Sequence, residues 1–386
     1  MARSAYEWLP DRHLGVAATL SHADELIEQI SNLLYPYQTQ EGGIVRPREV
    51  RHGSVSRTVV EGVAPIPRKL PLLVADALVA MRASIEHVLF AEVEYLDGTL
   101  NEKAAKLVEM PAAESWEAFE EWKKKRRKNG SPSLQAGSEL VRRIAALQPF
   151  HRHLNPELHP LARLVSHTNH AKHRTPAVVA VGLAGMYEDA NVPRSIEELP
   201  RGQKGPLCAG DIIAETPLGI QIPATLFPTV GINRPGTDEW PVLLKELDEI
   251  VTWVRDQAVP RLITGGEPPK PALPVRYNIS VAHADDRRAI ELGTSTTAAK
   301  NHALRLSAAD GRRELVEHLH TTHSSLTPEV LTTWLTGLPD DDVNEKMERL
   351  AATAPQRGGN AHQTLAVLED LRDEAIAFAS NDPAHQ

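Results

Sequence analysis

The sequence predicts a mainly α protein: an N-terminal helical bundle, a small α+β segment, and a helical C-terminal domain. Three observations lead there. Apolar residues recur at three- and four-residue spacing in five stretches before residue 175. Aromatic residues make up only 4% of the chain, so its cores must rest on Leu, Val, Ile and Ala, which suits helix packing. Pro and Gly then crowd the stretch from 176 to 274, where short β-prone runs replace helical ones. With 386 residues, 41% hydrophobic and 24% charged, the chain is long enough for more than one core and has the composition of a soluble globular protein.

The first helix is expected over Ala18–Leu34, where Leu26, Ile27, Ile30, Leu33 and Leu34 share helical spacing. Residues 38–67 are rich in Gly, Arg and Val and end in Pro65-Ile66-Pro67, so they read as a loop or a short hairpin. A second helix covers Leu70–Tyr95, apolar on nearly every face and therefore expected to be surrounded by others. A third covers Glu114–Lys128 and stops at Asn129-Gly130. A fourth covers Leu134–Leu147, ended by Pro149, and a fifth Pro160–His173, ended by Thr175-Pro176. Five helices in this length make a bundle over residues 1–175.

Strands are expected at Val178–Val181, Asp211–Thr216 and Ile220–Leu226, forming a small antiparallel sheet. An amphipathic helix, Trp240–Val259, completes a segment that runs over residues 176–264. Residues 265–274 hold four prolines and two glycines, which marks a linker. Residues 275–386 read as a helical domain, with a helix start at Thr327-Pro328-Glu329 and a last helix over Leu365–Phe378.

Composition narrows the function classes. The single cysteine, Cys208, excludes an intramolecular disulfide and an all-cysteine metal site, and suits a reducing cytoplasm. The first residues, MARSAYEWLPDRHLG, lack the apolar core of a signal peptide, and no stretch is apolar for long enough to span a bilayer. A cytoplasmic protein with no membrane partner is the expectation. The formal charge of −9 argues against whole-surface attraction to nucleic acid, though not against local patches. Phosphate loops, dinucleotide-binding glycines and a Gly-x-Ser-x-Gly elbow are all missing.

Polar residues inside the second helix supply the first candidate site. Arg82 and His87 lie in Met81-Arg82-Ala83-Ser84-Ile85-Glu86-His87, about 140° apart around a helix. Glu86 shares a face with Arg82, so an internal ion pair is one reading. In the other, Arg82 grips a phosphate with its guanidinium fork and His87 moves protons. A second cluster, Asn169-His170-Ala171-Lys172-His173-Arg174, closes the fifth helix. Its cations suit a helix C-terminus, and they equally suit a phosphate pocket. The run Lys123-Lys124-Lys125-Arg126-Arg127-Lys128 is either a solvated helix end or a phosphate-tracking patch, with Glu117, Glu120 and Glu121 partly neutralising it. His167, His170 and His173 fan out around the fifth helix, a poor arrangement for one ion, so neither metal nor cofactor is expected.

The spacing of Arg82 and His87 resembles the R-x4-6-H motif of HEPN ribonucleases. That resemblance implies a small helical bundle, metal-independent RNA cleavage, a homodimer and a place in toxin or antiviral defence. Ala83 departs from the polar residue usual after the arginine, and the motif helix comes second of five rather than late. The stretch 65–174 is also similar to an uncharacterised actinobacterial family, with L-R-S-A-L-D-H, L-Q-P-Y and N-x-D-K-H-R motifs. Here these stand as Met81–His87, Leu147-Gln148-Pro149-Phe150 and Asn169–Arg174. It implies no known activity.

Three functions follow. The first is an RNA-targeting protein, a metal-independent endoribonuclease. In it His87 is acid/base, Arg82 the phosphate anchor, and Asn169, Lys172 and His173 auxiliary. Arg174, Lys123, Lys124, Arg126 and Arg127 would contact substrate. The second is a non-catalytic binding protein whose polar helix residues hold the bundle together. The third is a metal-dependent enzyme using the histidines.

Overall fold

A computed structural model describes residues 5–188, 205–220, 224–322, 326–354 and 357–381. The chain is mainly helical, with small antiparallel sheets in its middle region, as expected. It forms two compact units, whose boundary falls between Ala299 and Lys300.

The first unit is organised around α1 (Leu14–Gln38) and α2 (Lys69–Asp97). Leu20, Ala23, Ile27, Ile30 and Leu34 of α1 are buried at helical spacing. In α2 the buried set includes Leu70, Val74, Ala77, Leu78, Met81, Ile85, Val88 and Leu89. Gly98 ends α2 at a φ of 80°, and its N–H bonds the Glu94 carbonyl; a positive φ is the conformation glycine adopts most cheaply after a helix. α1, α6 (Pro160–His173), α7 (Leu243–Trp253) and α8 (Val259–Thr264) pack against α2. They do not surround it: Leu72, Val79 and Phe90 stay exposed on one side. Apolar residues on an open face look the same in sequence as core residues, so the expectation of complete enclosure went too far.

Shorter elements fill the ends. Asn101 caps α3 (Glu102–Ala105), Ser115 caps α4 (Trp116–Arg126), and Ser138 caps α5 (Glu139–Ala145), each accepting a backbone N–H from three residues on. The helix expected over Leu134–Leu147 is therefore shorter, with a 3-10 turn at Pro132–Leu134 ahead of it. α6 starts at Pro160, and the Nδ1 atom of His159 accepts the Leu161 N–H.

Residues 38–67 do form a hairpin, β1 (Val45–His52) and β2 (Val55–Val63), turning at Gly53 and Ser54. The remaining strands are β3 (Val179–Glu188), β4 (Ile212–Pro217) and β5 (Ala224–Ile232). They do not make one sheet. β4 joins the hairpin in the order β1-β2-β4, and β3 pairs with β5, both antiparallel. Residues 221–223 of the strand expected over Ile220–Leu226 lie outside the described residues. The β3–β5 pair buries Val181, Leu183, Val230 and Ile232 in the main core, whereas β1 buries only Val45. The amphipathic helix expected over Trp240–Val259 is α7, a π-helical turn at Val254–Ala258, and α8. Residues 265–274 belong to the same compact unit, and Leu273 is buried in its core. A short α9 (Asp286–Glu291) follows.

The second unit contains α10 from Lys300 onward (the helix spans Ala298–Thr322), α11 (Pro328–Thr336), α12 (Asp340–Ala352) and α13 (Ala361–Asn381). Thr327 caps α11, as its Thr-Pro-Glu start predicts. Leu315, Leu319, Leu331, Leu335, Val343 and Leu371 belong to a separate apolar core. No helix among the described residues is long and apolar enough to cross a membrane.

Candidate functional site

The α2 motif is built as a clamp. Arg82 and Glu86 stand four residues apart on one face, 2.5 Å from Nη2 to Oε1. Together they take both peptide groups of Met110. Arg82 Nη2 donates to the Met110 carbonyl at 2.6 Å, and the Met110 N–H donates to Glu86 Oε2 at 2.9 Å. Arg82 is left only 11% exposed. Its Nη1 is buried without a hydrogen-bond partner among the described residues. His87 projects into solvent on the open side of α2. The motif thus faces two ways: Arg82 inward to the loop that carries Met110, His87 outward.

Asn169, Lys172, His173 and Arg174 are all exposed at the end of α6, and none makes a side-chain hydrogen bond or ion pair among the described residues. Along α4 the four chosen cations differ. Lys123 pairs with Glu120 at 2.6 Å and Lys124 with Glu121 at 2.5 Å, whereas Arg127 is exposed. Arg126 turns inward and is 3% exposed. Its guanidinium lies 3.9 Å from the Trp122 ring centroid, and Nη1 donates to the Trp122 carbonyl at 2.9 Å. Burial pulls the Arg126 pKa down to about 10, against the opposing charges of Glu109 and Glu86. That side chain holds α4 together and is not available to a ligand.

A cluster that the sequence reading missed lies between α6 and α7. Glu246 is 1% exposed. Arg163 Nη1 reaches its Oε2 at 2.6 Å, and Arg234 contributes Nη2 to Oε2 at 2.8 Å and Nε to Oε1 at 3.0 Å. His167 Nε2 is 3.4 Å from Oε1. Burial alone would raise the Glu246 carboxyl. Hydrogen bonds from His167 and Arg234, with the charges of Arg163 and Arg234, outweigh it and bring the pKa down to about 2. One signal was available: Glu246 falls within the apolar stripe Leu243, Leu247, Ile250, and a carboxylate there needs a buried cation.

Beside Arg163 opens a groove of about 440 Å³, lined by Pro160, Asp248, Glu249, Thr252, Trp253 and Asp256 among others. His159 meets Trp253 edge-on, with ring centroids 5.0 Å apart. Burial, then Arg152 and Arg163, push its pKa down to about 4, so this imidazole is neutral at pH 7. The groove holds none of the site residues expected from sequence, and its carboxylates would repel a phosphate backbone. Among the described residues no group of three or more His, Cys, Asp or Glu side chains could hold a metal ion. The chain matches no family model, no curated protein and no solved structure.

Proposed function

We propose that this protein binds RNA without cleaving it. One observation carries the non-catalytic half: Arg82 is already engaged by Glu86 and the Met110 carbonyl. Cleavage of the HEPN type needs that guanidinium fork on a phosphate beside His87. Releasing it gives up charge-assisted hydrogen bonds, worth about 1.5–3 kcal/mol each, and leaves a carboxylate behind. The RNA half rests on the exposed cations at two helix ends, Lys125, Arg127 and Lys128 at the end of α4 and Lys172 and Arg174 at the end of α6. Phosphates drawn to such cations release counterions, which drives binding without any reaction.

The test is one assay read two ways. Fluorescent RNA incubated with the protein should be retarded on a gel and recovered intact. His87→Ala should change neither result, and Arg82→Ala should lower the melting temperature. If wild-type protein instead leaves a cyclic phosphate and a 5′-hydroxyl, and folded His87→Ala does not, the homodimeric ribonuclease reading replaces this one.

A further inference from the structure

Trp116, in the first turn of α4, is 52% exposed. One side of its indole closes an aromatic cluster: it meets Phe119 at 6.0 Å and Phe150 edge-on at 5.5 Å between ring centroids. Lys123 Nζ lies 5.2 Å from the Trp116 ring centroid. Phe150 in turn stands 4.5 Å from the ring of His151, which is exposed and fixed through its Nε2 to the Ala145 carbonyl at 2.9 Å. An indole left this open forgoes burial, although the stacked Phe119–Trp122 pair beneath it is already buried.

Position along the helix adds the second component. Trp116, Lys123 and Arg127 fall within about 40° of one another around α4, and Arg127 lies about 16 Å farther along. Glu120 shares the stripe but is bound to Lys123, and Glu121 is bound to Lys124. Glu114 and Glu117 are the exposed charges at the tryptophan end, whereas Arg127 and Lys128 stand exposed at the other with no ion pair among the described residues. An open aromatic face followed by a cationic track is what single-stranded nucleic acid requires: a base to stack, then phosphates to neutralise. A duplex offers no free base face to the indole.

We propose that α4 and the residues at Phe150–His151 form a platform for single-stranded nucleic acid, with a base stacked on Trp116 and the backbone running toward Arg127 and Lys128. This rests on the RNA-binding reading above and names the form of RNA, or of DNA, that the surface takes.

The experiment uses the full chain and labelled 12-mers of uridine RNA and thymidine DNA, followed by fluorescence anisotropy. Inorganic polyphosphate serves as the base-free competitor. Trp116→Leu keeps an apolar cover over Phe119 but removes the π-face. It should weaken binding by about fivefold to a hundredfold and leave polyphosphate competition unchanged. Trp116→Phe should stay within a few-fold of wild type. Arg127→Gln, a change on an exposed residue, should reduce the slope of log K against log salt by about 0.7. Binding of the RNA 12-mer alone would identify RNA as the strand recognised and support the platform. If wild-type protein binds the 12-mers and Trp116→Leu binds them equally, or if the uridine 12-mer annealed to an adenosine RNA 12-mer binds as tightly as the single strand, the platform is overturned while the RNA-binding reading survives. A wild type that binds no RNA overturns both.

Discussion

In the unit that ends at Ala299, three carboxylates are almost wholly buried, whereas in the C-terminal unit the paired carboxylates of Asp340, Asp370 and Glu374 stay a third or more exposed. Glu92 receives Arg12 at 2.8 Å and His13 at 2.7 Å. Asp24 receives Arg276 at 2.6 Å and the Ala298 N–H at 3.1 Å. Glu246 receives Arg163, Arg234 and His167. In the C-terminal unit Arg349 pairs with Asp370 at 3.3 Å and Arg357 with Glu348 at 2.8 Å, all four well exposed. Its core residues are Leu, Val, Trp and Ala.

The difference teaches how each unit is specified. A buried ion pair recovers its desolvation cost only in one geometry, so it acts as a directional pin. The three pins of the first unit join segments 80 or more residues apart: residue 12 to 92, 24 to 276, and 163 to 246. The second unit joins neighbouring helices through apolar contact, where short connections already limit the choices.

The largest expected effect comes from removing one pin. Glu246→Ala removes the buried carboxylate that Arg163, Arg234 and His167 share, leaving Arg163 only the half-exposed Glu249 and Arg234 only the exposed Glu239, a loss of about 3–5 kcal/mol. Hydrogen exchange read segment by segment should quicken in α6 and α7 and stay unchanged in α11 and α13. Equal quickening in both units would break the comparison, because it would mean that they unfold together.

Acid should separate the units next. The Glu246 carboxyl sits at about 2 when folded, against an ordinary 4.5. Its contribution is therefore fully present above pH ~4.5 and is lost as pH falls toward ~2, about 3 kcal/mol in all. Glu92 acts in the same direction: burial raises its pKa, but hydrogen bonds from His13 and Arg12 lower it further. Calorimetry at pH 7, 4 and 3 should show the first unit's transition falling while the second unit's holds. A second unit that melts as early in acid would remove the distinction.

The smallest effect sharpens it. Arg349→Ala breaks contacts to exposed Asp370 and Glu374, so the stability change should stay within about 1 kcal/mol. Chemical denaturation followed by Trp334, the tryptophan of that unit, checks it. A loss several times larger would show that surface charge holds the second unit too.

Much of the framework was legible. α6 occupies Pro160–His173 as read from its proline start and its Thr175-Pro176 stop, and α11 begins at Thr327-Pro328-Glu329. Local signals of this kind act within one helical turn, so they survive in sequence. Partners in space do not. The Arg82–Glu86 pair was anticipated from four-residue spacing, but its other contact, the Met110 backbone, is a main-chain group with no residue-type signal. Arg126 sat in a run of six cations, and nothing in that run separates the inward one from its exposed neighbours except its place on the buried stripe with Phe119 and Trp122.

By itself the sequence determined the helical class, the caps and stops, the break in character near residue 176, and the candidate residues on α2, α4 and α6. Those follow from periodicity and turn chemistry, whose causes lie a few residues apart. Only the tertiary structure decided that β4 pairs with the β1–β2 hairpin rather than with β5, that Glu246 gathers three basic side chains, and that Arg82 and His87 face different surroundings. The physical reason is the same in each case. A strand edge, a buried carboxylate and a guanidinium fork can each be satisfied by many partners, and the partner is chosen by which distant segment the core brings within about 3 Å.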